Sequence, residues 1–493
     1  MMRLGWLCCA GALLAFTGCV STNANVDRAL NALRSGNDPA ALAWSENIKD
    51  SFYSKDLGYL ETGRVRMLGG DFLGSSTNFS AAIDTVLEQT DEGPRIKLGD
   101  VGANVMAGTV TDDRTRPYRL PPYEFINALN YQMLNRMFMG DLDGATVEAR
   151  RAVFAQDKIV EQYGADVGSA RSSVPQDQEA GMQKMDAEMA ALDEVASQSR
   201  SSYENPLAWW LCGILFEQDR DTANARLAYQ KAHELTSGNP FIQRDWLRVL
   251  RAEDQVMYRQ AVAQAHVDAA SLVRPETELV LIFEEGFVPQ RLSKKIPIPV
   301  MTSIVSVDFP FYEAPAYTPV SVTLADGGKA LGSSALALNV QSLAYRDLKE
   351  KMPGVVVRNI SRAATRIGAT AVAKGIGNQG DAGKAIELGV MAVTAIATAL
   401  NRADTRAWYT LPMVSHVWRG GIEPGERVLE VRNPLTGLVT RVPVTVAQGE
   451  SRLIWLADTG GNTRVASASL NGRGAPATFG IYNSVLNTSN VQR

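Results

Sequence analysis

Six residues at fixed intervals constrain this chain more than any other feature. Counted from Pro206, the residues Trp209, Gly213, Phe216, Ala225, Tyr229 and Ala232 stand at offsets 3, 7, 10, 19, 23 and 26. Each triplet follows one face of an α-helix, and the gap between Phe216 and Ala225 is long enough for a turn. The segment therefore predicts two antiparallel helices. Gly213 and Ala225 are small where the helices cross closely, and Trp209, Phe216 and Tyr229 fill the groove around that contact. Asn239-Pro240 closes the second helix.

This spacing resembles the tetratricopeptide repeat (TPR), a helical pair about 34 residues long. Weaker copies occur upstream. Gly63, Gly70-Asp71, Phe79 and Ala82 fit a unit starting near Asp56; Gly36 and Ala41 fit one near Thr22, 34 residues earlier. Gly140-Asp141, Ala145 and Ala152 fit a unit from Ile126. At least four helical pairs are expected within residues 19–270, separated by irregular insertions such as 93–121. Residues 165–204 read as a polar insertion. Within it, Met182, Met185, Met189, Leu192 and Ala196 form a short heptad-like stripe, expected on an exposed helix lying over its neighbours.

The pattern changes near residue 275. Glu278–Phe283 is an apolar run of strand formers, and residues 296–299, 303–309, 320–324 and 335–338 follow between Gly, Pro and Asp turns. A short helix is expected over Gln341–Lys351, then a small-residue helical hairpin at about 355–402. Strands return at 408–411, 414–418, 427–431, 438–446 and 452–456. The end, from Gly472, is rich in Gly, Asn and Ser, and residues 476–493 are expected to be a flexible tail. The fold class is thus α+β and multidomain: an α-helical TPR-like domain, then a β-rich, sandwich-like domain over 275–475 with an inserted helical hairpin.

The N-terminus carries an address. Arg3 precedes an uncharged, largely apolar run from Leu4 to Phe16, the length of a signal-peptide core and too short for a membrane span of about 20 residues. The run ends in Phe16-Thr17-Gly18-Cys19. This resembles the lipobox of bacterial lipoproteins, with phenylalanine where leucine is usual. The resemblance implies a signal peptide over 1–18 and lipid on Cys19, and two or three acyl chains make a stable anchor. Val20-Ser21 places no aspartate after the cysteine, which implies the outer membrane. Cys8 and Cys9 leave with the signal, so Cys212 is the single remaining thiol and no intrachain disulfide is expected. Its apolar helical context marks it as a core residue.

Composition narrows the function classes. With 45% hydrophobic and 21% charged residues the chain has ample core, and a net charge of −4 argues against nucleic acid as a partner. His233, His266 and His416 share no metal-ligand spacing, so no metal and no cofactor are expected. Gly375 to Gly380 matches a dinucleotide-binding glycine pattern, but a helical segment precedes it where that site needs a strand. Glu284-Glu285 are adjacent, face opposite sides of a strand, and are read as a solvated strand end. No catalytic residue is assigned. Arg291, Lys294 and Lys295, on a loop between strands, are candidate contacts for anionic lipid or glycan. Asp404 and Arg406 are positioned to pair, with Trp408 packed beneath them.

Helical repeats after a lipobox, a G-x-x-P turn at Gly286 and the A-D-T-R-x-W…L-P segment from Ala403 to Pro412 together resemble a poorly characterised family of bacterial TPR-containing envelope lipoproteins. The resemblance implies location and architecture and carries no activity to any residue. The function expected first is a non-enzymatic scaffold at the outer membrane. Envelope proteins would bind its TPR-like surface, in support of cell-wall or envelope assembly, regulation of peptidoglycan synthases being one specific form. Two alternatives are a glycan- or lipid-handling β-domain, favoured by a polar cleft lined by carboxylates or His416, and membrane remodelling by the 355–402 hairpin.

Overall fold

The computed structural model describes residues 22–90, 93–96, 114, 116–236, 238–265, 272–300, 303–313, 318–377 and 402–486. The chain is α+β, with a helical N-terminal region followed by a β-rich C-terminal region of mixed sheets. The helical region contains α1 (Thr22–Arg34), α2 (Asp38–Lys49), α3 (Lys55–Leu68), α4 (Phe72–Val86), α5 (Pro122–Phe138), α6 (Leu142–Ala170), α7 (Glu179–Met189), α8 (Asp193–Ala196), α9 (Pro206–Gln218), α10 (Thr222–Leu235), α11 (Pro240–Glu253) and α12 (Gln255–Ala265). A two-stranded ribbon, β1 (Leu87–Thr90) with β2 (Gly93–Ile96), follows α4.

Four of the inter-helix turns are built identically. Gly36, Gly70, Gly140 and Arg220 each take a positive φ, at 76°, 81°, 76° and 62°. The next residue, Asn37, Asp71, Asp141 or Asp221, donates its N–H back five residues, to the carbonyls of Ala32, Arg66, Arg136 and Phe216, at 2.8–2.9 Å. Its side chain then caps the following helix by accepting from the N–H three residues on. The turn thus satisfies the last carbonyls of one helix and the first donors of the next, and fixes an antiparallel hairpin. The four hairpins are α1–α2, α3–α4, α5–α6 and α9–α10.

Trp209, Phe216, Ala225, Tyr229 and Ala232 are buried, and Gly213 faces the Tyr229 ring so closely that a Cβ would lie 2.5 Å from it. A glycine to alanine change inside a helix ordinarily stabilises it by about 1 kcal/mol. Gly213→Ala is expected to do the opposite, destabilising by about 1–3 kcal/mol through overpacking. A denaturant titration gives the sign.

The C-terminal region is organised on a six-stranded sheet of order β14-β13-β12-β3-β9-β8. Its strands are β3 (Glu278–Glu285), β8 (Ala335–Asn339), β9 (Val414–Gly421), β12 (Ser451–Asp458), β13 (Thr463–Ser469) and β14 (Thr478–Tyr482). β12 and β3 run parallel and the remaining pairs antiparallel. All eight residues of β3 are buried, so both of its faces are covered. Val280 and Ile282 join the core shared with the helices, while Leu279, Leu281 and Phe283 join a second core. That second core also holds Leu324, Leu429, Val431, Val442 and Val444 of the five-stranded sheet β15-β11-β10-β6-β7. This sheet comprises β6 (Thr323–Asp326), β7 (Lys329–Ser333), β10 (Gly425–Arg432), β11 (Leu438–Val446) and β15 (Val485–Leu486). Alternating exposure along β11 leaves its outer face to solvent. A separate hairpin, β4 (Leu292–Val300) with β5 (Ser303–Phe311), lies beside α7.

Several expectations change. Val340–Gly377 is one helix, α13, with Pro353 inside it, where a break before residue 355 was expected. The second arm of the expected hairpin lies outside the described residues. Residues 478–482, expected in a flexible tail, form β14, because Thr463–Ser467 of β13 supplies them a paired edge. Residues 165–170, expected in the polar insertion, continue α6. The methionine stripe is the buried face of a helix whose other face is exposed, and a Cβ on Gly181 beside it would strike Ile360 of α13. Trp408–Leu411 is not a strand.

Candidate functional site

Residues 403–413 form an irregular strap between the helices and the sheet, and its centre is buried. A buried segment without a partner strand leaves backbone donors that must be satisfied another way. Two buried helix carboxylates do this. Glu61 of α3 accepts from the Tyr409 N–H at 2.7 Å and from the Thr410 N–H and hydroxyl at 3.3 and 2.6 Å. Glu124 of α5 accepts from the Trp408 N–H at 3.0 Å and the Tyr118 and Tyr123 hydroxyls at 2.6 and 3.1 Å. Carboxylate oxygens therefore replace the missing ladder, which is the physical reason that 408–411 is not a strand. Burial pushes the Glu61 carboxyl up to about 8, against the opposing hydrogen bonds from the strap, and burial raises Glu124 as well. Asp404 and Arg406 pair at 2.6 Å, as their spacing predicts, and Arg406 also donates to the Tyr53 carbonyl at 2.6 Å. Trp408 packs against Phe79 and Tyr131.

A second buried cluster joins α9–α11 to the sheet. Arg419 of β9 donates to Glu278 of β3 at 2.8 and 3.1 Å and lies 3.1 Å from Asp245 of α11. Glu217 at the end of α9 accepts from the Tyr229 hydroxyl at 2.9 Å and pairs with Arg248 through both guanidinium nitrogens. Arg274 reaches both Glu217 and Glu278. Despite burial, the surrounding arginines hold the Glu217 carboxyl well below its usual range and Glu278 at about 2. Two further arginines make comparable bridges. Arg64 pairs with Glu284 and stacks on Tyr131, and Arg464 of β13 reaches Asp38 and the Leu33 and Leu68 carbonyls.

Glu284 and Glu285 do face opposite sides of β3 but are buried, not solvated: Glu284 meets Arg64 and the Tyr131 hydroxyl, and Glu285 accepts from Asn433. The three candidate anion contacts are separated. Arg291 is partly buried, with 13% of its side chain exposed, and its guanidinium donates to the Tyr312 hydroxyl and the Arg406 carbonyl at 3.3 Å each. Lys294 and Lys295 lie in β4, not on a loop. Lys294 pairs with Glu188 and stacks on Phe311, and Lys295 is exposed.

Cys212 is fully buried, and burial pushes its thiol well above the usual range. His416 is buried between the sheets and burial lowers it to about 4; neither ring nitrogen has a hydrogen-bond partner. His233 stacks on Trp246, and His266 lies outside the described residues. Among the described residues no group of three or more His, Cys, Asp or Glu is placed to hold a metal, and no helix is long and apolar enough to cross a membrane.

A cleft of about 280 Å³ opens along the outer edge of β8, walled by residues 198–201 and 204 and by Leu235, Thr236, Gly238 and Asn239. Asn239 donates to the Leu336 carbonyl at 2.9 Å and so covers part of that strand edge. Neither His416 nor the Glu284-Glu285 pair lines it. The buried glutamates and Arg419 were missed by sequence reasoning. The available signal was charge inside apolar runs, as in Leu60-Glu61 and Trp418-Arg419.

No family model matches the chain, and no curated protein matches it. Among solved structures, the Assembly Chaperone of RpL4 (Acl4), residues 1–338, is similar over 51% of this chain and 93% of its own, at 15% identity and a TM-score of 0.18.

Proposed function

We propose that this chain is an exported lipoprotein, acylated on Cys19 and held at the bacterial outer membrane, that acts as a non-enzymatic protein-interaction scaffold in the envelope, in keeping with the TPR-containing lipoproteins it resembles. The observation that carries this reading is the fourfold recurrence of one helix–turn–helix hairpin with the same backbone turn and cap. Stacked hairpins of this kind present extended surfaces to protein partners, and the TPR reading of the hairpins and the sandwich reading of the two sheets belong to the same proposal. The Arg419 and Glu61 clusters support it too, because they fasten the helices to the sheets and spend their charge internally. Support for cell-wall or envelope assembly is the role that fits such a tethered surface.

Val147 and Leu227 occupy the same position after the turn in α6 and α10, and both are exposed, at 52% and 49%. A photo-crosslinking residue at either position should give a discrete adduct in intact cells. Cys19→Ser should move the chain out of the membrane fraction and abolish that adduct. A chain that stays unacylated, or gives no adduct from either position, defeats the reading.

A further inference from the structure

Cys19 precedes the first described helix by three residues, a covalent reach of at most about 11 Å. α1 is no loose leader, since Val26, Leu30 and Leu33 are buried in the main core. A lipid on Cys19 would therefore hold one end of the folded body against the bilayer, with no linker to let it turn away. The contacts show which end. α1 and α2 are antiparallel, so the start of α1 lies beside the end of α2 and the 50–54 loop. The connection continues laterally: Gln290 donates to Asp27 of α1, its neighbour Arg291 donates to the Arg406 carbonyl, and Arg406 donates to the Tyr53 carbonyl.

That end carries an aromatic pair which the fold does not use. Phe52 is 79% exposed and Tyr53 43%, and their rings meet edge to face at 5.2 Å. The flanking Lys55 is exposed, and so is Arg119, next to Tyr118, whose N–H donates to the Tyr53 carbonyl. Asp56 lies beside both cations and offsets them, so the exposed rings, which settle at the headgroup level of a bilayer, carry the contact.

We propose that the Phe52–Tyr53 loop is a membrane-contact surface, seating the acylated end of the molecule in the lipid headgroups and fixing its orientation. This rests on the acylation of Cys19. It implies that the α1–α2 turn, about 20 Å away along α1, points from the membrane.

The test uses the full acylated chain in phosphatidylethanolamine–phosphatidylglycerol vesicles containing brominated acyl chains. Ser51→Cys and Ser35→Cys each supply one reactive thiol for an environment-sensitive fluorophore, because Cys212 is buried and Cys19 is acylated. Lipid quenching should be roughly threefold or more greater at position 51 than at 35, as expected for a group within the first 5–10 Å of the interface. Phe52→Ser/Tyr53→Ser should bring position 51 down to the level of 35 while the chain stays on the vesicles. Equal quenching at both positions, in a chain whose Cys19 is acylated by mass, overturns the inference and leaves the anchor standing. An unmodified Cys19 overturns the anchor and the inference together.

Discussion

Arg419→Met should destabilise the protein by about 3–5 kcal/mol, the largest effect expected of any single change here. Methionine keeps the apolar stem and removes the guanidinium that faces Glu278, Asp245 and Glu217. Those carboxylates would stay buried with part of their compensating charge gone. The readout is the midpoint of urea unfolding, followed by tryptophan fluorescence, since Trp210 donates to Asp245 within the cluster. Adding Glu278→Gln to Arg419→Met should recover part of the loss, because it removes one of the stranded charges. Equal stability of wild type and Arg419→Met would mean that the cluster is solvated and does not couple the helices to the sheet. The pH dependence has a definite sign. Glu278 lies at about 2 in the folded protein and near 4.5 unfolded, so its contribution is fully present above the unfolded value and is lost as pH falls toward 2. Arg419→Met should flatten that acid limb.

Glu61 should behave in the opposite sense. Its folded-state value near 8 exceeds the ordinary 4.5, so between these limits the folded protein binds a proton that the unfolded chain does not. Its share of stability is therefore full below about pH 4.5 and declines as pH rises through 8. Glu61→Gln imitates the protonated acid, with an oxygen for the Tyr409 N–H and an amide to donate to the Thr410 hydroxyl, at the loss of the long 3.3 Å bond from the Thr410 N–H. It is expected to change stability at pH 7 by no more than about 1 kcal/mol and to remove the decline between pH 5 and 8. Glu61→Leu leaves the strap donors without an acceptor in a buried site and should cost about 2–4 kcal/mol. Parallel pH profiles for wild type and Glu61→Gln would show that this carboxyl titrates normally.

Much of the helical half was legible because its signals are local. The Gly70-Asp71 and Gly140-Asp141 pairs complete their turns with hydrogen bonds that reach no further than five residues. The 206–232 spacing likewise places both faces of one crossing within a single stretch of chain. Arg220-Asp221 makes the same turn without glycine, and a pattern based on glycine alone passes over it. Strand β3 was legible as a continuous apolar run, yet Glu284 and Glu285 at its end were misread, because their partners Arg64 and Asn433 are 220 and 148 residues away. The strap was misread as a strand for the same reason. Trp408, Tyr409 and Thr410 are strand-forming residue types, but the groups that accept their N–H donors come from Glu124 and Glu61, 284 and 348 residues earlier.

By itself, the sequence determined the helical pairs, the change to strands near residue 275, the burial of Cys212 and the expectation of lipid on Cys19. Each rests on a pattern that a short segment carries alone: a helical face, an apolar strand, a turn residue or a cleavage motif. Tertiary structure decided which charges are buried and paired, which internal acceptors the Arg291 guanidinium meets, and which sheet residues 478–482 join. Those outcomes depend on electrostatic and hydrogen-bond partners far away in the chain. Whether a buried charge is tolerable is settled only when its partner arrives.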